Sequence, residues 1–114
     1  MIELELPYPP SVNHYYRHVG PRMLISREGR LFHTRVRAIL ASAGVQPLWG
    51  KLAVQIELYP PDNRRCDADN AMKALIDSLQ HGGAYKDDSQ IVKLAIEKCS
   101  PTPGGRVIVR IEEL

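Results

Sequence analysis

Four short stretches of this 114-residue chain alternate apolar and polar residues with a period of two: Ile2-Leu4-Leu6, Leu52-Val54-Ile56-Leu58, Val92-Leu94-Ile96 and Val107-Val109-Ile111. Every second side chain of a strand points to the same face, so each stretch predicts a strand buried on one side and wet on the other. Four one-sided strands need a cover, and two amphipathic segments supply it. The first follows Ser26, whose hydroxyl can cap a helix start, and carries Phe32, Val36, Ile39, Leu40 and Ala43 as far as Gly44. The second spans residues 70–80, with Met72, Leu75, Ile76 and Leu79 on one face and Gly82-Gly83 closing it. The expected architecture is one domain, residues 1–114, in the order β-α-β-α-β-β. That is a two-layer α/β (α+β) fold: a four-stranded mixed sheet with both helices on one face. The loop at 100–105 is a turn signal between strands, and the last strand is expected to run antiparallel to the one before it. Residues 11–25, after the prolines at 7, 9 and 10, show no period and read as a loop.

Charge is informative by distribution rather than by sum. The net charge of +2 is too small to imply nucleic acid, but between Asn13 and Gly44 six arginines stand against one acid, Glu28. Such a local excess suits a phosphate-facing surface. The loop mixes Asn13, Tyr16, Arg17 and Arg22, and Arg27 opens the helix that follows; amide, aromatic and guanidinium groups together fit sugar–phosphate and exposed bases. Cys66 and Cys99 have neither metal-ligand nor disulfide-framework spacing, which favours a reducing compartment. No apolar run approaches the roughly 20 residues that cross a bilayer. Met1 leads straight into a strand rather than a signal peptide. A cytoplasmic protein with no membrane partner is expected.

The chemistry concentrates in residues 61–92. Asp67 and Asp69 stand two apart where the second helix begins, Lys73 follows one turn later, and Asp87-Asp88 directly precedes the third strand. Carboxylates on rigid elements, with one lysine, suit a divalent cation that activates water against a phosphate. The plainer alternatives are that Asp69 caps the helix and that Lys73 pairs with Asp69 or Asp77. Asp77 is expected in an ion pair. The four histidines lack ligand spacing and are expected at the surface or against DNA.

The run PDNRRCDADNAMKALIDSL followed by GAYKDDSQIV, with the opening LPYPPSVNHYYR, resembles the RusA family, Holliday-junction resolvases of bacteria and their phages. The likeness covers nearly the whole chain. It implies catalytic, metal-holding carboxylates at Asp67, Asp69 and Asp88, a catalytic lysine at Lys73, and a supporting place for Asp87. It also implies Mg²⁺, with Mn²⁺ as a substitute, and DNA contacts from the basic run Arg64-Arg65, which Cys66 interrupts here. By the same resemblance the chain should act as a homodimer on four-way DNA junctions and nick two strands symmetrically. The sequence offers Ile108, Val45, Leu48 and Trp49 as apolar surface for such pairing, without selecting among them. Two rivals are a DNA-binding module with a degenerate acidic site and a D-x-D glycosyl-type transferase. Acids facing DNA repel phosphate unless a cation intervenes, and the chain is short for a nucleotide-binding fold.

Overall fold

The computed structural model describes residues 1–10, 16–63 and 68–114, with the backbone alone at 16–19, 22, 23, 69 and 70. The elements are β1 (Ile2–Leu6), β2 (Tyr16–Val19), β3 (Arg22–Ile25), α1 (Arg27–Ser42), β4 (Leu52–Tyr59), α2 (Ala68–His81), a 3₁₀ turn (Asp88–Gln90), β5 (Ile91–Lys98) and β6 (Arg106–Glu113). The main sheet runs β1-β6-β4-β5, and β2 with β3 makes a separate hairpin. The mixed four-stranded sheet with two helices follows the expected pattern.

Alternation becomes burial most clearly in the two central strands. Leu52, Val54, Ile56 and Leu58 of β4 and Val107, Val109 and Ile111 of β6 are almost wholly enclosed, and Leu4 and Leu6 of β1 join them. Phe32, Val36 and Leu40 of α1 and Leu75 and Leu79 of α2 complete the core. The opposite sheet face is polar and cross-linked. Arg110 reaches Glu3 on β1 and Glu57 on β4, both at 3.0 Å, while Arg106 contacts Glu5 at 3.1 Å and lies over the Tyr59 ring.

The structure refines or corrects the expectations at three points. The last strand runs antiparallel to β5, as expected, but is not its neighbour: β6 sits between β1 and β4, antiparallel to both. Its three fully buried apolar residues gain neighbours on both sides there, whereas β5, with Lys93, Glu97 and Lys98, takes the rim. The 100–105 turn carries the chain across the end of β4, tied by Thr102 N–H to the Pro60 carbonyl at 2.8 Å. Gly105 is left-handed (φ 67°), and a Cβ on it would stand 2.9 Å from Tyr8.

Second, part of the aperiodic 11–25 stretch is a hairpin with Tyr16 opposite Ile25 and Val19 opposite Arg22. Gly20 (φ 61°) takes the first place of its two-residue turn, the position that calls for glycine. Strands of four residues are too short for a period of two to stand out in the sequence.

Third, the inner stripe of α2 is Ala71, Ala74, Leu75, Ser78 and Leu79, with Met72 and Ile76 only partly covered. Small residues occupy the closest approach. Gly82 continues the theme, since a Cβ there would stand 2.5 Å from Leu40 Cδ1, and Gly83 supplies the left-handed φ of 91°.

Candidate active site

The β4–α2–β5 unit decides where the carboxylates lie. β4 and β5 are parallel, with Leu52 opposite Ile91 and Ile56 opposite Ile96. α2 must therefore run back along the sheet from the end of β4 to the start of β5. Asp69 lies in the first turn of α2, and Asp67, outside the described residues, immediately precedes that helix. Asp88 lies at the opposite end. Its backbone N–H donates to Gln80 Oε1 at 2.9 Å, and Gln80 is in the last turn of α2. At roughly 1.5 Å of rise per residue, about 16 Å of helix axis separates Asp69 from Gln80. Among the described residues, no three potential ligands stand together.

The turn bearing Asp88 is tightly built. Asp87 caps it, its carboxylate accepting from the Ser89 N–H at 3.2 Å and from the Ser89 hydroxyl. The Gln90 side chain closes a capping box. Gln90 Oε1 accepts from the N–H groups of Lys86 and Asp87, both at 2.9 Å. Its Nε2 donates to the carbonyls of Leu48 at 3.0 Å and Gly50 at 2.9 Å. One amide thus ties the turn to the segment before β4. Glu113 holds that segment from the other side, accepting from Trp49 N–H at 3.2 Å and Gly50 N–H at 2.8 Å.

This framework separates the adjacent aspartates. Asp87 is occupied in shaping the turn. The Asp88 carboxylate is exposed and accepts no hydrogen bond from any described residue, which leaves its hard oxygens open to a cation. Tyr85, behind the turn, is 1% exposed and donates to the Ile76 carbonyl at 2.7 Å. Burial, with the Asp88 and Asp77 charges added, pushes its hydroxyl well above the usual phenol range.

Lys73 is exposed on α2, one turn after Asp69. Asp77 pairs with His33 and His81, at 3.5 Å each, rather than serving the acidic set. His33 is accordingly a packing residue between the helices, contrary to the expected surface role, and its ring centroid lies 4.9 Å from that of His81. Of the anticipated DNA contacts, Tyr16, Arg17 and Arg22 lie on the β2–β3 hairpin and Arg27 is exposed at the start of α1. Asn13, Arg64 and Arg65 lie outside the described residues. Gln80 and Gln90 had no expected role, although Asp87-x-x-Gln90 is legible as a capping box.

The family model for endodeoxyribonuclease RusA matches residues 7–112. The crossover junction endodeoxyribonuclease RusA of Shigella sonnei (strain Ss046) is 39% identical over 112 residues, covering 97% of this chain and 93% of that protein. Its counterpart in Escherichia coli (strain K12) is 38% identical over the same shares. The protein of that name from Enterobacteria phage HK97 is 36% identical over 110 residues, 96% of this chain and 92% of its own.

Proposed function

The chain belongs to the RusA family of endodeoxyribonucleases, and from that premise we propose that it resolves four-way DNA junctions as a Mg²⁺-dependent homodimer making paired symmetric nicks. The supporting observation is the family match itself, which spans Asp67, Asp69, Lys73 and Asp88 together.

Asp67, Asp69 and Asp88 would hold the cation, for which carboxylate oxygens are suited ligands; Mn²⁺ would serve as well. When bound, the cation would supply positive charge toward the phosphate oxygens and would activate the attacking water. Lys73 adds positive charge at the phosphate being cut. Arg17, Arg22 and Arg27 anchor the flanking backbone, with Arg64 and Arg65 beside the first aspartate. Asp87 supports Asp88 through the turn it caps.

The two ends of α2 give the homodimer a specific task. One chain holds Asp69 and Asp88 at opposite ends of a helix, so a three-carboxylate set is completed by Asp88 of a second copy. Two chains about a two-fold axis then offer two such sets to a junction with approximate two-fold symmetry.

Cleavage of a synthetic four-way junction with and without Mg²⁺ tests the activity. Asp88→Asn should abolish nicking and leave junction binding intact, because removing a negative charge cannot weaken attraction to phosphate. Mixing tests the shared site. Asp69→Asn and Asp88→Asn chains, each inactive alone, should together regain nicking, since one of the two sites in the mixed dimer is wholly wild type. Mixtures as inactive as their parts would return all three carboxylates to one chain.

A further inference from the structure

Trp49 is the chain's one tryptophan, and it is 71% exposed. The backbone beneath it is nevertheless held on both sides. The N–H groups of Trp49 and Gly50 donate to the Glu113 carboxylate, and the carbonyls of Leu48 and Gly50 accept from the Gln90 amide. The Leu48 N–H donates to the Ala84 carbonyl at 3.0 Å. Val45 and Leu48 pack against the core, so the indole is not the centre of an apolar patch formed with them. Lys86 Nζ lies 4.8 Å from the centroid of the ring. Lys86 is itself exposed and stands two residues before Asp88, on the turn that Gln90 ties to the Trp49 segment.

We propose that Trp49, with Lys86 on its ring, stacks on a nucleobase at the branch point and so helps distinguish a junction from continuous duplex. The proposal rests on the junction reading above and assigns it a specificity residue. In continuous duplex each base pair is covered on both faces by its neighbours, and a ring on the protein surface has no base face to meet. At a branch point the stack is interrupted, and an aromatic side chain can take the place of the missing neighbour. A ring on a fixed backbone loses little freedom in doing so. The ammonium adds positive charge within reach of the stacked nucleotide's phosphate. Asp88 belongs to every proposed set of carboxylates, so a ring tied to its turn stands beside the strand to be cut, whichever chain supplies the other two.

A protein partner fits this surface less well. A stable interface buries about 800 Å² on each side, and lysine is depleted at its centre. Here a single indole carries an ammonium on its ring, and Lys51, two residues on, is exposed as well. Glu113, the acid beside the segment, is engaged by the two N–H groups.

The test uses the full-length chain, whose one tryptophan makes fluorescence a report on this site alone. Asp69→Asn chains, which should bind without cutting, should lose tryptophan emission when titrated with a four-way junction. At an equal fraction bound they should keep it with linear duplex of the same arm sequence. Trp49→Ala should weaken junction binding on the order of tenfold, the scale for one base–aromatic stack, and leave duplex binding unchanged. Trp49→Phe should recover much of that loss. Trp49→Leu should not, since leucine supplies apolar surface without a stacking face. Lys86→Gln should lower the slope of log affinity against log salt by about one unit. Emission unmoved by saturating junction, or lost equally on duplex, would overturn the proposal, as would Trp49→Ala chains that bind junction like wild type. So would a dimer lost in Trp49→Ala without DNA, which would make the ring a contact between chains. In each case wild-type chains that still cut junctions leave the proposed function standing. Wild-type chains that cut none overturn that function, and this role with it.

Discussion

Gln90 makes four hydrogen bonds with one side-chain amide, two as acceptor and two as donor, joining the turn of Asp88 to the segment before β4. Replacing it by leucine strands two N–H groups and two carbonyls, and each partly enclosed group left unmade costs about 1 kcal/mol or more. Gln90→Leu should lower Tm, and it should reduce nicking more than junction affinity, because Asp88 loses its fixed position while no DNA contact is removed. Equal losses in rate and affinity would mean the turn itself binds DNA. A pH effect belongs to His33. Burial lowers its pKa below the ordinary 6.5, only partly opposed by Asp77, and protonated His81 and Arg37 act in the same lowering direction. The unfolded chain then binds that proton more tightly, so stability is full above pH 6.5 and falls as acid brings the medium toward the lowered folded value. Chemical denaturation at pH 7.5 and 5.5 should show this loss, and His33→Gln should flatten it. An unchanged slope in that variant would clear His33.

At the scale of elements, the close meeting of the end of α2 with α1 depends on Gly82. Ala71, Ala74 and Ser78 line the inner face of α2, and Gly82 lies where a Cβ would collide with Leu40 Cδ1 and press on the Ser78 carbonyl. Gly82→Ala should cost about 1–3 kcal/mol, the range for overpacking a closed core. Gly83→Ala meets nothing within 4 Å, so its penalty comes from the left-handed backbone alone. Denaturation midpoints of the two variants, combined with Leu40→Val, separate the causes. Trimming Leu40 should relieve the Gly82 variant and not the Gly83 one. The Ser26 cap anchors the other helix, its hydroxyl accepting from Gly29 N–H at 3.1 Å.

For the whole molecule, the proposed shared site makes a prediction that is counted in strands cut. On that proposal a wild-type dimer should hold two complete sites and should linearise a plasmid carrying one junction within a single binding event. In a large excess of Asp69→Asn chains, most wild-type chains should pair with a variant and keep one intact site, so the product should shift to open circle. Linear product that persisted in proportion to bound junction would show that a single chain makes both cuts.

Alternation alone determined the four main strands and the two helices, because period two and period 3.6 follow from backbone geometry and need no partner to be visible. Asp67, Asp69, Lys73 and Asp88 were legible as a set through the resemblance of their run to the RusA family; their spacing by itself suits a capped helix with an ion pair as well as a cation site. Tertiary structure decided what depends on neighbours far along the chain. The position of β6 between β1 and β4 is such a case: burial on one face does not say which strands lie to either side. The sequence of the short β2–β3 hairpin has no period of two to reveal it. Asp87 and Asp88 are indistinguishable as letters, and only the folded turn gives one to Ser89 and leaves the other without a hydrogen bond from any described residue. Above all, adjacency in a motif hid distance in space, because a parallel β4–α2–β5 crossover must return along the sheet and so carries Asp88 to the far end of the helix from Asp69.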